Sequence, residues 1–574
     1  MPRILLLTIS LITIIGAIAY WKLSPATAPA SQAFIGGHVI TLDEEEPSAE
    51  AVLLRGEYIA AVGNKSEILA LVDDDTVIHQ LQGKTLLPGF IDAHGHFPGS
   101  GLSAVAVDLN SPPIGNVTSM AQLIDKLVDK ANAQKAGQWL FAYGYDDTLL
   151  EEKRHPHRDE LDAALPNTPV FLMHISGHMG VANSRALALA GINEDSPDPV
   201  GGSFKRDASG NLNGLLEENA AITVQEIAMD YSVGDFLKMV DHAAAEYGRA
   251  GVTTAQSGGI DSRMAMGLKI ASLLNKIPLR LELWPIYNEL GSDLLSGKKS
   301  AADFETDKIH LGAVKIVADG SIQGYTGYLS TPYHTPHHND ADYRGYPRIP
   351  REELFSWVEK FHRGDFQLAI HGNGDAAIDD IIDAFAEAQR LHPVDDPRLI
   401  LVHAQMARDD QLARMKTLGI TPSFFSAHTY YWGDRHRDIF IGNARAERIS
   451  PARSAEELQL PYTAHLDTPV VPMNPLQAVW STANRLSTSG QLIGAEQRVE
   501  VLSALRATTL SAAWQIGREA EIGSIKVGKL ADLVVLRDNP LDPTQRQRIN
   551  EIDVMATYVG GVEIFRRKNP EGNQ

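Results

Sequence analysis

The chain has no cysteine. That removes disulfides, thiolate nucleophiles, cysteine-ligated zinc and lipidation through an N-terminal cysteine, and it leaves the compartment open. There is also no basic tract, only scattered Lys and Arg, against a formal net charge of -21. This balance argues against a nucleic-acid partner and favours a soluble acidic surface. One long apolar run stands near the start, from Ile4 to Trp21, between Arg3 and Lys22, with a Pro/Ala/Ser/Thr stretch after it. It has the make-up of a signal peptide or an uncleaved signal anchor and is just long enough to span a bilayer. The expectation is export across the cytoplasmic membrane, to a periplasmic or extracytoplasmic place, released or anchored by residues 4–21. A membrane partner then depends on whether the segment is cleaved; Ala28-Pro29-Ala30 resembles a small-residue cleavage site.

At 574 residues the chain is too long for one simple core, and an apolar fraction of 44% allows a large one. Residues 1–31 form the leader and its linker. Short strand-like runs at Phe34–Leu42, Ala51–Leu54 and Tyr58–Val62 are punctuated by Gly36-Gly37 and Arg55-Gly56. Similar runs return near the other end, at 522–536 and at Thr557–Phe565 around Gly560-Gly561. Segments 32–85 and 518–567 are expected to pair into one composite β-sandwich, since two separate hairpins would be marginal.

Between them, residues 86–517 alternate apolar β runs with helical patterns, as in a parallel sheet covered by helices. The runs are 87–92, 251–256, 279–286, 312–317, 367–371, 398–403, 419–424 and 462–467. Eight of them fit an α/β fold of the (β/α)8 TIM-type barrel class, in which chemistry sits at the C-terminal strand ends. An insert, residues 100–245, separates the first two runs and is expected to cover the barrel mouth. It contains strand-like pieces at Trp139–Gly144 and Val170–His174 and helical patterns at Ser119–Ala133 and Val233–Ala250. Ser119 with Gln122 suits a capping box.

The first run ends Leu87-Pro88-Gly89-Phe90-Ile91-Asp92-Ala93-His94-Gly95-His96. Residues two apart on a strand share a face, so His94 and His96 can offer imidazoles to one metal. Taken alone, such a pair is as well explained by loop histidines. Further metal-compatible groups close or occupy other runs: Lys315 in the fourth, His371 in the fifth, His403 in the sixth and Asp467 in the eighth. Five of the eight strands so marked is hard to assign to surface residues.

These stretches resemble the amidohydrolase superfamily. The first-run sequence resembles its first-strand motif, and Ala507-Thr508-Thr509 with the segment from Gly523 to Leu536 resembles its C-terminal signature. Gly144-Tyr145-Asp146, 177–184, 213–218, Val317-Ala318-Asp319-Gly320-Ser321, 371–377 and His403-Ala404-Gln405 resemble the YtcJ-like, "amidohydrolase 3" branch, which includes N-substituted formamide deformylases. The resemblance covers residues 33 to 567. It implies a metal-dependent hydrolase cleaving a C–N bond of amide type in a small molecule, an N-substituted formamide among the possibilities. It implies one or two divalent ions, most simply zinc, at His94, His96, His371, His403 and Asp467. Lys315 matches a lysine that in relatives can be carboxylated to bridge two metals. Otherwise Lys315 is an ammonium paired with Asp319 or Asp467, and Glu218 either supplies the bridge or is an ordinary capping acid.

Asp467 is the expected proton carrier, with His403, or His178 from the insert, donating to the carbonyl oxygen. Tyr325, Trp432 and Asp319 are expected to touch substrate, although turn chemistry and rim packing explain them equally. The chain departs from the branch pattern at Val402, at His465-Leu466 and at Ser176. Hydrolysis of cyclic amides, carbamates or esters on the same site is the alternative activity. An exported non-catalytic binding protein is the alternative outside enzymes. A homo-oligomer is compatible with the sequence.

Overall fold

The computed structural model describes residues 26–568. The apolar stretch 4–21 lies outside them, and among the described residues no helix is long and apolar enough to cross a membrane.

The run expected at 87–92 serves two different sheets. Thr85–Pro88 pairs antiparallel with Leu533–Leu536, while Phe90–Ile91 pairs parallel with Val252–Ile260. Gly89 is the hinge: a Cβ there would lie 2.2 Å from the Thr253 side chain, so only glycine lets the chain cross so closely. The boundary between the chain-end unit and the central unit therefore falls inside the apolar run and not at residue 85.

The two chain ends meet in one hydrogen-bonded eight-stranded sheet, not in two stacked sheets. Its strand Ser31–Ile40 changes partner at the irregularity around Gly36-Gly37. Gln32–Ile35 faces Val77–Gln80, and His38-Val39 faces Thr85-Leu86. This split folds the sheet over a shared core of Phe34, Val52, Leu54, Leu86, Leu533, Val535 and Tyr558. The Phe34 and Tyr558 rings meet edge to face at 5.1 Å although their strands are far apart in the sheet order.

The central unit holds two parallel sheets. One orders Ile309–Leu311, Arg280–Pro285, Val252–Ile260 and Phe90–Ile91. The other orders Val314–Val317, Leu368–Gly372, Leu399–His403, Ile420–Phe424 and Thr463–Ala464. The expected fourth run, 312–317, is half of a longer broken strand. Its first part, 309–311, pairs back to Leu281–Leu283, and its second part pairs forward to Leu368–His371. The eighth run shortens to two paired residues. At the outer edges His96 N donates to Thr468 O at 2.8 Å and Asp467 N to His94 O at 3.3 Å. Helices such as Asp375–Leu391 bury Ile378, Ile381, Ile382 and Phe385 against these strands. Their spacing of three and four residues is that of a helix with one apolar face.

The insert forms a six-stranded mixed sheet, including Leu140–Tyr145 and Val170–His174, with its own apolar clusters on the two faces. Its helix Met120–Ala133 is capped by Ser119, whose Oγ accepts from Gln122 N at 3.3 Å. The expected reciprocal bond is not made, because the Gln122 side chain accepts from Thr118 N instead. The helix Val233–Arg249 is shared: Met239 packs into the insert, while Val240, Ala243 and Tyr247 pack into the central core.

Candidate metal centre

The parallel strands and the segments that follow them bring six predicted residues together. Asp467 Oδ1 lies 3.4 Å from His94 Nε2 and 3.2 Å from His96 Nε2. Lys315 Nζ is 3.1 Å from His94 Nε2. His403 Nε2 is 3.9 Å from Asp467 Oδ2, and its ring sits 4.5 Å from that of His371 and 5.7 Å from that of His94. His94, Lys315, His371 and His403 are buried, whereas the His96 side chain is 42% exposed. Solvent therefore reaches the cluster along His96. Gly258 makes room for the first histidine, since a Cβ there would lie 2.7 Å from His94 Cε1.

Some of the left-handed backbone of the chain lies at and beside this cluster. His403, Ala404, Asp467 and Glu218 all have positive φ, at 70°, 44°, 56° and 50°. Non-glycine residues in that region cost about 1–2 kcal/mol each. Such strain persists where surrounding packing imposes it, most often at functional sites.

The outer hydrogen bonds decide which ring nitrogen faces inward. Gln256 Oε1 accepts from Gly95 N at 2.8 Å, which fixes the amide orientation, and lies 3.1 Å from His94 Nδ1. His94 must donate there. His96 Nδ1 is 2.9 Å from the carbonyl oxygen of Gly258 and must donate too. In the neutral rings both Nε2 atoms are then bare. They then face a carboxylate oxygen, Asp467 Oδ1, which is buried and makes no hydrogen bond. Two nitrogen lone pairs and an anionic oxygen pointed at one another call for positive charge; Lys315 Nζ, 3.1 Å from His94 Nε2, can donate to one of them and leaves His96 Nε2 and Asp467 Oδ1 facing each other. The donor set, imidazole and carboxylate, is that of zinc and its first-row neighbours. Residues and geometry thus fit a divalent ion.

His371 differs: its Nδ1 lies 3.2 Å from Asp319 Oδ1 without a hydrogen bond, and its Nε2 is 3.2 Å from Asn373 Nδ2. Asp319 is fully buried and accepts from Asn373 N, Gly374 N and Tyr328 N at 2.8–3.0 Å. Three backbone N–H groups thus hold the Asp319 carboxylate beside His371. Burial, followed by nearby positive charge, holds His94, His371 and His403 well below the usual imidazole range. Burial also pushes the Lys315 amine down to about 7, against the opposing charge of Asp467.

Glu218 does not join the cluster. Its Oε2 lies 2.9 Å from His178 Nδ1 and 3.9 Å from Arg348, and its backbone starts the helix Asn219–Ala228. Its Oε2 faces His178, while its Oε1 is buried without a hydrogen bond. His178, from the insert, reaches over so that its ring is 5.0 Å from that of His371. Tyr325 stacks on His337 at 4.5 Å and Trp432 is buried beside Phe425 and His428. Both sit in loop packing and not against the histidine cluster. Two contributors escaped the sequence reading. Gln256 closes an expected strand and could have been flagged by its position; His465 was visible only as a departure from the family pattern.

Comparisons with known proteins identify the family of the chain. A profile of the amidohydrolase family matches residues 78–565. The N-substituted formamide deformylase of Arthrobacter pascens is 30% identical over 541 residues, covering 93% of this chain and 98% of that protein. The putative amidohydrolase YtcJ of Bacillus subtilis is 25% identical, covering 93% of this chain and 99% of its own. Among solved structures, an uncharacterized metal-dependent hydrolase from Pyrococcus horikoshii superposes with a TM-score of 0.71 at 23% identity. It covers 89% of this chain and 98% of its own.

Proposed function

The chain belongs to the amidohydrolase family, in its YtcJ-like branch, and from that premise we propose that it cleaves amide-type carbon–nitrogen bonds in small molecules. N-substituted formamides are the first class to test, because a relative of nearly the same length carries that activity in its name. The observation that carries the hydrolase reading is the forced inward orientation of His94 Nε2 and His96 Nε2 against the unpaired Asp467 Oδ1. The two parallel sheets are read as the two arcs of one (β/α)8 barrel, joined through the broken strand 309–317.

A divalent ion held by His94, His96, His371, His403 and Asp467 supplies a Lewis acid and activates water at neutral pH. The chain's own residues do the rest. Asp467 Oδ2 takes the proton of the attacking water and later gives it to the leaving nitrogen. His178, held by Glu218, stands over the site where it can donate to the substrate oxygen as charge develops. The exposed edge at His96 is the side of entry.

Lys315 extends the proposal. A buried amine held to about 7 is substantially neutral at neutral pH, and a neutral amine can add carbon dioxide to give a carbamate. The amine nitrogen would lose one proton as the N–C bond forms, leaving a carboxylate beside His94. The test is metal content per chain by elemental analysis, for wild type and Lys315→Ala. About two ions in wild type, falling in the variant, is expected of a bridged pair. Equal content in both removes the bridging role. Amine release from N-formyl and N-acyl amines by the loaded protein is the second arm. Activity on esters or carbamates alone would replace the amide reading.

A further inference from the structure

Two arginines from loops of the central unit grip the insert on either side of His178. Arg348, in the loop after Val314–Val317, donates to Asn219 Oδ1 at 2.8 Å and approaches Glu218. On that side Glu218 holds the His178 ring, and its N–H donates to the His178 carbonyl at 2.7 Å. Arg435 holds the other side. It ends the short helix Gly433–Arg435, in the loop after Ile420–Phe424. Its Nη1 meets Asp146 Oδ2 and donates to Thr148 Oγ1 at 2.6 Å, while its Nη2 donates to Tyr431 O at 2.8 Å. Asp146 is buried and the Arg435 side chain is only 14% exposed, so salt screens the pair weakly. Asp146 follows the insert strand Leu140–Tyr145, in which Tyr145 stands opposite His174 of the neighbouring strand. From there the contacts run on to His178. Asp147 Oδ1 lies 3.1 Å from His174 Nε2. His174 Nδ1 accepts from Ser176 N at 3.2 Å, and Ser176 Oγ accepts from His178 N at 3.2 Å.

We propose that Arg435 is a positioning residue: by gripping Asp146 it sets, through His174 and Ser176, where His178 stands over the metal centre. The inference rests on the reading of His178 as the donor to substrate. The insert's own sheet fixes His178 only within the insert. Its height over His371 depends on contacts that cross to the central unit, and the Arg435–Asp146 pair is a charged one, joining residues 289 apart in the chain. His174 and Ser176 are buried, so water competes little for the bonds that pass the grip on. The Gly144-Tyr145-Asp146 motif thereby gains a task. So does Ser176, which departs from the branch pattern yet receives the His178 N–H.

The experiment is a double-variant cycle on the full chain: Arg435→Met, His178→Ala and the two combined. The readouts are kcat on N-phenylformamide per metal-loaded chain and amide exchange of residues 174–179. Arg435→Met is expected to lower kcat by about 100-fold, as a misplacement of about 1 Å does, with metal content unchanged. Exchange at Ser176 and His178 is expected to quicken by about tenfold as their turn loosens. In the His178→Ala background the same substitution is expected to cost less than about threefold, because the residue it places is gone. An equal loss in both backgrounds, which a role in general stability predicts, overturns the proposal. So does wild-type kcat in Arg435→Met. If Arg435→Met does not fold, Arg435→Met with Asp146→Asn, which leaves no lone buried charge, takes its place in the cycle. Wild-type kcat in His178→Ala fails the reading of His178 itself, and this inference with it. If the wild type does not turn over N-phenylformamide, unchanged exchange at Ser176 and His178 in Arg435→Met overturns the proposal.

Discussion

Asp467→Asn is expected to lower kcat by about 10²–10⁴-fold, the range that a positioned general acid/base contributes. The substitution keeps the volume and one ligating oxygen but removes the charge and the ability to carry a proton. Asp467 is the carboxylate closest to the inward nitrogens of His94 and His96, and its second oxygen faces His403. The measurement is kcat per metal-loaded chain on an N-formyl amine, with metal content read on the same sample. A loss confined to KM, or a kcat per loaded chain within about tenfold of wild type, would remove Asp467 from proton transfer. A fall in metal content with normal turnover of the loaded fraction would leave it a ligand only.

Arg280→Ala is expected to destabilise the fold by about 3–5 kcal/mol, the cost of breaking a buried ion pair from one side. Arg280 and Asp532 are both buried and meet through two bonds, Nε to Oδ2 at 2.7 Å and Nη2 to Oδ1 at 3.1 Å. Asp532 also accepts from Gly560 N at 2.7 Å, and its carbonyl receives Gly89 N at 2.9 Å. The pair therefore pins the central strand Arg280–Pro285 to the chain-end sheet at the hinge where the first apolar run changes sheets. Alanine leaves a buried carboxylate with one N–H partner. The check is the urea-unfolding midpoint of Arg280→Ala beside the double variant Arg280→Met with Asp532→Leu. The double variant should recover much of the loss, since an apolar pair of similar volume often costs little. A single variant as stable as wild type would show that the two sheets are held together by packing alone.

Much of the centre was legible in one dimension. A histidine, lysine or aspartate closing an apolar run is visible to a short window, and the strand ends of a parallel α/β fold converge, so such residues were expected to meet. What was not legible shares a cause. Glu218 follows an apolar strand just as the ligands do, yet its carboxylate is claimed by His178, forty residues away in the chain. Asp319 reads as a free acid in a glycine-rich turn, yet three backbone N–H groups and His371 surround it. The break at Gly89 hides inside an apolar run because hydropathy says nothing about which sheet a residue joins.

The sequence by itself determined the family, the alternation of parallel strands with helices, the pairing of the two chain ends and most of the residues that meet at the centre. These follow from periodicity and from residue types at fixed spacing, which are local properties. Only the tertiary structure decided which nitrogens of His94 and His96 lie beside an acceptor, and which partners surround Glu218 and Asp319. A ring's proton goes to whichever acceptor lies beside it, and those acceptors are 162 residues away for His94 and for His96. Separations of that size are set by how the strands assemble, and no local pattern encodes them.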